Sequence, residues 1–172
     1  MILNGEFDTI YHEHLSFYNI KSARALCERA GLHLIDVMKH PIHGGSYIFV
    51  ISRDKEAKVY IEKLILDEEN LGLYDPDTYA EYAEKCYFVA DKFATTIREL
   101  RGLGIPVVGY GAPAKGMTLM NFAKEGPDVI FEDTFQKQGK FTPGLRIPIT
   151  PPNYSAYENH PRVVWVILAW NV

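Results

Sequence analysis

The chain has 172 residues, 47% hydrophobic and 23% charged, with 13 Gly, 10 Pro and 2 Cys, a profile that belongs to an ordinary folded protein and not to a disulfide scaffold. Lys and Arg number 18 against 22 Asp and Glu, a formal charge of -4, so there is no basic stripe to neutralise a run of phosphates and nucleic acid is not expected as a partner. No apolar stretch approaches the roughly 20 residues that cross a bilayer, and Met1 to Asp8 lack a cationic segment followed by an apolar one, so neither a membrane partner nor export is expected.

A chain of this length buries about two-thirds of the surface its unfolded form exposes, so its core needs neither a disulfide nor a structural metal. Cys27 and Cys86, far apart and without CxxC spacing, read as buried thiols, and the expected compartment is cytoplasmic. In chain order, Asn19 to Ala30 carries Ile20, Ala23, Leu26, Cys27 and Ala30 at helical steps, with Gly31 placed as a helix stop. Leu32 to Val37 and Tyr47 to Ser52 are β-branched and aromatic runs around a Pro41 and Gly44-Gly45 loop, and predict a strand pair. Helical spacing returns over Glu56 to Leu71 and Thr78 to Leu103, with Gly72 to Asp77 as a polar break.

The pattern changes at Gly102 to Gly104. Beyond it come an apolar run (Pro106 to Tyr110), a glycine turn, a helix (Ala114 to Lys124), a second run (Asp128 to Phe131), a loop, Arg146 to Ile149, a helical stretch over Asn153 to Asn159, and Val163 to Ala169. Continuous apolar runs alternating with helices indicate a parallel sheet covered on both faces. The expected fold is therefore α/β: residues 1–103 hold a helix, a strand pair and two helices, and residues 104–172 form a Rossmann-like unit with a parallel sheet.

Four constellations can carry chemistry. Tyr11, His12, Glu13 and His14 place a phenol, two imidazoles and a carboxylate together, enough for a general base, its orienting partner and an oxyanion donor. If extended, His12 and His14 share one face; the residues alone leave open which is the base. Two His and a Glu also suit zinc, but the spacing is poor for it, and no metal is expected. His43, Gly44, Gly45 and Ser46 either let a backbone approach a ligand or form an ordinary hairpin turn. Gly109, Gly111 and Ala114 satisfy GxGxxA after a strand and before a helix, with Lys115 beside the helix start and Asp133 placed as a Rossmann acid that would bind a ribose; the bland reading is a turn whose glycines only permit close packing. Finally, Lys137, Gln138 and Lys140 lie in a loop at a predicted strand end and would extend an anion site, or be simply solvated.

FDTIYHEHLSFY (7–18), HGGSY (43–47), GYGAPAKG (109–116), KQGKFTPG (137–144) and the terminal LAWN (168–171), in this order, resemble the C-terminal domain of the S-adenosylmethionine-dependent sugar C-methyltransferases that act on nucleotide-linked keto-deoxysugars. Members of that family resemble three-part proteins, with a small zinc-binding module and a methyl-donor domain ahead of the substrate-side domain. The resemblance implies that His14 removes the proton alpha to a ketone, with Glu13 and Tyr11 orienting it or stabilising the enolate. It also implies a nucleoside-diphosphate sugar held along HGGSY, GYGAPAKG and KQGKFTPG. S-adenosylmethionine would then be bound not by this chain alone but by a methyl-donor domain in cis or in trans. The stretch around Thr134 and Phe135 departs from the family's form, where Asn-Pro is expected, which implies a different base or sugar preference. Two other readings remain: a nucleotide-sugar binding module without catalysis, and an NAD-binding oxidoreductase fragment resting on GxGxxA.

Overall fold

The computed structural model describes residues 1–2, 5–42, 45–54 and 60–169. They form two compact units, one of residues 1–4 and 15–83 and the other of residues 5–14 and 84–172.

In the first unit, α1 (Ile20–Arg29) starts where the sequence predicts, because Asn19 accepts the Ser22 N–H at 2.8 Å while Ser22 Oγ accepts the Asn19 N–H at 3.0 Å. It stops at Gly31, whose φ of +70° allows Leu32 N–H to reach Cys27 O at 2.9 Å and Gly31 N–H to reach Glu28 O at 3.0 Å. The strands β1 (His33–His40) and β2 (Ser46–Ser52) pair antiparallel, with an irregularity between Leu34 and Asp36. α2 (Tyr60–Asn70) covers the described part of the predicted second helix; residues 55–59 lie outside the described residues. Ile20, Cys27, Leu34, Val37, Ile61 and Ile65 close the core, with Tyr47, Phe49 and Tyr74 against it.

One carboxylate is built into this core. Glu68, 2% exposed, accepts the Ile20 N–H at 2.9 Å and the Tyr74 hydroxyl at 2.6 Å, so it satisfies an orphan donor at the positive end of α1. Burial, then the Glu68 carboxylate, raises the Tyr47 hydroxyl pKa, and the same causes raise that of Tyr74. Glu68→Ala is expected to lower stability by about 2–4 kcal/mol, because two donors lose a charged acceptor where water cannot replace it. Urea unfolding checks this, and a loss under 0.5 kcal/mol (roughly the range of ordinary surface changes) would contradict it.

The helix α3 (Pro76–Gly102) ends where the sequence pattern changes. In the second unit, β3 (Val107–Tyr110), α4 (Ala114–Ala123) and β4 (Val129–Phe131) make a parallel crossover. Three further strands follow: β5 (Lys140–Phe141), β6 (Pro148–Thr150) and β7 (Val164–Ile167). Their order across the sheet is β5-β6-β4-β3-β7, parallel except for the β5–β6 pair. The α/β fold with its Rossmann-like parallel sheet is thus as expected. Counted from β3, the parallel strands lie third, second, first, fourth, which puts the reversal of strand order at the carboxyl ends of β3 and β7.

Two details differ from expectation. β5 is an additional edge strand within the loop after β4. The helix expected over Asn153 to Asn159 is a short 3₁₀ turn, Tyr154–Tyr157, since Pro151, Pro152 and Pro161 confine the segment and Asn153 provides no side-chain cap. Its rings pack onto the sheet: Tyr154 and Tyr157 lie 5.8 and 6.1 Å from Phe131, and 5.8 and 6.1 Å from Trp165. The core behind α4 joins Met120, Ile130, Ile147, Ile149 and Leu168. Cys27 and Cys86 are buried and unbridged. Among the described residues, no helix is long and apolar enough to cross a membrane.

Candidate functional site

The segment 5–14 is anchored by Phe7, which is buried and lies 5.0 Å ring to ring from Phe122 of α4. Phe122 is eight residues along α4 from Ala114, about 12 Å at the rise of an α-helix. The segment turns instead of extending. Ile10 N–H donates to Phe7 O and His14 N–H to Tyr11 O, both at 2.9 Å, so Tyr11 and His14 meet, with ring centroids 4.2 Å apart. An extended strand would instead have put His14 with His12 and opposite Tyr11. The His12 side chain is 88% exposed, 4.0 Å from the exposed Glu13 carboxylate.

His14 is held by its Nδ1, 2.8 Å from the Thr9 carbonyl oxygen and 3.0 Å from Thr9 Oγ1. A carbonyl oxygen only accepts, so this network assigns the proton to Nδ1, and the lone pair of the neutral ring belongs to Nε2. Such a ring is set to take a proton through Nε2.

At the glycine turn, both readings of the glycines have a physical basis. Gly111 has φ +81° and its N–H donates to Phe131 O at 2.8 Å, so the backbone turns back across the end of β4. Gly109 is set by packing: a Cβ there would lie 2.9 Å from Pro127 Cγ and 3.0 Å from Ile130 Cγ1. Gly116 lies equally tight against Leu168. Pro113 takes the N-cap position of α4 without a side-chain cap, and the first turn contains no acidic residue. Its N–H groups point out of the helix end beside Gly111, which suits an anion. Ala114 is exposed there, whereas Lys115 is buried at 9% exposure.

The strongest polar feature is one the sequence reading missed. Glu132, at the carboxyl end of β4 and 7% exposed, accepts the Ala112 N–H at 2.8 Å, the Thr134 N–H at 2.9 Å and the Lys137 ammonium at 3.2 Å. Burial alone would raise its pKa; the Thr134 side chain and backbone, the Ala112 N–H and Lys137 overcome that and hold it down at about 2. Lys137 Nζ also donates to Ala112 O at 3.1 Å, and Gln138 Nε2 to Glu132 O at 2.8 Å. Lys137 therefore clamps the loop after β4 to the glycine turn, and Gln138 ties the same loop back to the end of β4. The only advance signal was a Glu closing an apolar run five residues before a Lys.

Asp133 accepts the Tyr110 hydroxyl, and that hydrogen bond, followed by one with Tyr154, raises the Tyr110 pKa. Lys140 is exposed on β5. His43 and Gly44 lie outside the described residues. Gly45 and Ser46, in the other unit, make a hairpin turn: Gly45 N–H donates to Ile42 O at 3.0 Å and Ser46 Oγ to the same oxygen at 3.2 Å. Among the described residues, no group of three or more His, Cys, Asp or Glu is placed to hold a metal ion.

The structure thus joins Tyr11 with His14, and Tyr110, Glu132, Asp133, Lys137 and Gln138 with the glycine turn. C-methyltransferase NovU of Streptomyces niveus is 34% identical over 177 aligned positions that cover 99% of this chain and 42% of that protein; the chain thus spans less than half the length of this relative. The profile of the C-methyltransferase C-terminal domain matches residues 41–172, from the β1–β2 loop through the whole sheet, and the chain belongs to that family.

Proposed function

We propose that the chain is the substrate-side, acid/base domain of an S-adenosylmethionine-dependent C-methyltransferase acting on a nucleotide-linked keto-deoxysugar. The observation that carries this reading is the His14 imidazole, bound through Nδ1 to the Thr9 carbonyl and backed by the Tyr11 ring. A ketone acidifies the C–H beside it. His14 Nε2 takes that proton, the Nδ1–H···O bond supports the imidazolium that forms, and Tyr11 keeps the ring in place. The electron pair left on carbon is the nucleophile. S-adenosylmethionine supplies the electrophilic methyl group, on a methyl-donor domain in cis or in trans. The glycine turn is assigned to the substrate and not to that donor: the first turn of α4 holds Lys115 and no acidic residue, and the donor carries no diphosphate for it to hold. The same start suits the substrate's diphosphate.

NAD also carries a diphosphate, but needs a second mononucleotide-binding half, and the described sheet has four parallel strands and one antiparallel edge. Thermal unfolding tests the reading. A nucleoside-diphosphate sugar at about a hundred times its Kd is expected to raise Tm by roughly 5–10 °C. Lys115→Ala weakens that protection, and NAD or S-adenosylmethionine at equal concentration gives little. Stronger protection by NAD than by any nucleotide sugar across a panel of bases overturns the reading in favour of an oxidoreductase fragment. Protection by a nucleotide sugar, with no turnover in a preparation that includes the methyl-donor domain, leaves the chain as a binding module without catalysis.

A further inference from the structure

His14 belongs to a short segment whose own bonds shape it but do not place it. Ile10 N–H donates to Phe7 O at 2.9 Å, Tyr11 N–H to Thr9 O at 3.1 Å and His14 N–H to Tyr11 O at 2.9 Å, while His14 Nδ1 closes on Thr9 O at 2.8 Å. These bonds fix His14 relative to Phe7 without reaching α3 or α4.

A stack of rings makes that link. Phe7 is buried, with its ring 5.0 Å from that of Phe122 on α4, and Phe122 in turn lies 5.2 Å from Tyr87 on α3. All three belong to the second unit, as His14 does. Both spacings fall in the range at which aromatic pairs attract beyond the area they bury. Yet the stack stands apart from the core of the sheet, since none of the three rings is among the side chains that join Met120 to Ile130, Ile149 and Leu168. Met120 faces that core; Phe122, two residues on and so about 200° around the helix, faces the other way and is half-exposed. A ring on the outer side of α4 is not what holds the helix to the sheet. It holds the segment that bears His14.

We propose that Phe122, with Tyr87 behind it, is a positioning residue for the proton abstraction: it seats Phe7, and through the turn that begins at Phe7 it sets where His14 Nε2 stands relative to the start of α4. This role rests on the reading of His14 as the base. One helix then registers both halves of the reaction, the anion site at its Ala114 end and the seat of the base at its Phe122 end. Removing the Phe122 ring leaves the diphosphate where it was and lets the base drift, and a misplacement of about 1 Å costs on the order of 100-fold in rate.

Two measurements test this. In a preparation that includes the methyl-donor domain, Phe122→Ala is expected to lower kcat by about 10- to 100-fold while the calorimetric Kd of the nucleotide sugar stays within about two-fold. Phe122→Tyr, which keeps the ring, restores kcat, and Tyr87→Phe leaves it unchanged. In this chain alone, Phe122→Ala speeds hydrogen exchange at the Ile10 and His14 amides by about ten-fold or more and leaves the Val108 and Ile130 amides of the sheet as they were. Sheet amides that speed up together with those of the segment, or a Kd that rises as far as kcat falls, mean a general loss of structure and overturn the role. Full kcat in Phe122→Ala beside an inactive His14→Ala overturns it while the reading of the base stands. Near-normal turnover by His14→Ala overturns both.

Discussion

In a preparation that includes the methyl-donor domain, His14→Ala lowers kcat by about a hundred- to ten-thousand-fold, the usual contribution of a general base. The expectation follows from the one imidazole in the YHEH segment whose protonation pattern is set by its surroundings. Thr9 O fixes the proton on Nδ1, Tyr11 lies against the ring, and the ring therefore offers Nε2 to a substrate. His12 has no carbonyl contact among the described residues, its ring lies farther from Tyr11, 6.4 Å centroid to centroid, and its side chain is 88% exposed, so His12→Ala changes kcat only a few-fold on the scale of a general-base loss. His160→Ala is the informative control. Its Nδ1 lies 2.6 Å from Arg162 O, so it shares the carbonyl contact but belongs to none of the motifs, and turnover is expected to survive its loss. Steady-state kinetics on the three variants decide the matter. Near-normal turnover by the His14 variant moves the role to His12 or Glu13.

How much of this was legible beforehand depends on how far apart the interacting residues are in the chain. The ends of α1 could be read because Asn19, Ser22 and Gly31 are local signals: each acts on backbone groups within three or four residues. The parallel sheet was legible too, since strands buried on both faces must be apolar throughout. The conformation of the YHEH segment was left open, because the turn that joins Tyr11 to His14 has no Gly or Pro to announce it. The glycine turn was readable as a turn, with close packing as one reason for its glycines, but not the neighbours that require them: Pro127 and Ile130 at Gly109, and Leu168, placed once β7 has joined the sheet, at Gly116. Glu132 shows the same limit at the site itself. Periodicity placed it at a strand end, yet only the folded chain brings Ala112, Thr134 and Lys137 to its two oxygens. Lys137 and Gln138, taken from sequence as ligand contacts, are first of all what hold that loop, Lys137 to the turn and Gln138 to the end of β4.

That clamp has a measurable pH signature. The Glu132 carboxyl is held at about 2 against 4.5 for an ordinary glutamate, and a group whose pKa is depressed by folding contributes stability that is present above its unfolded pKa and lost as pH falls through its folded one. The contribution is therefore complete above about pH 5.5 and is lost progressively down to about pH 2. For a carboxylate that is 7% exposed, a depression of this size corresponds to about 3 kcal/mol. Other carboxylates titrate over the same range, so the native protein alone cannot isolate Glu132. Glu132→Gln can, since its amide imitates the protonated acid at every pH. The variant is expected to be less stable than the native chain by about 3 kcal/mol at pH 7, enough to loosen the Lys137 turn, and the difference should shrink toward zero near pH 2. Urea unfolding of both proteins at steps from pH 7 to pH 2 reads this directly. A difference that stays constant over that range means that Glu132 acts by shape alone, and that the Ala112, Thr134 and Lys137 contacts do not stabilise its charge.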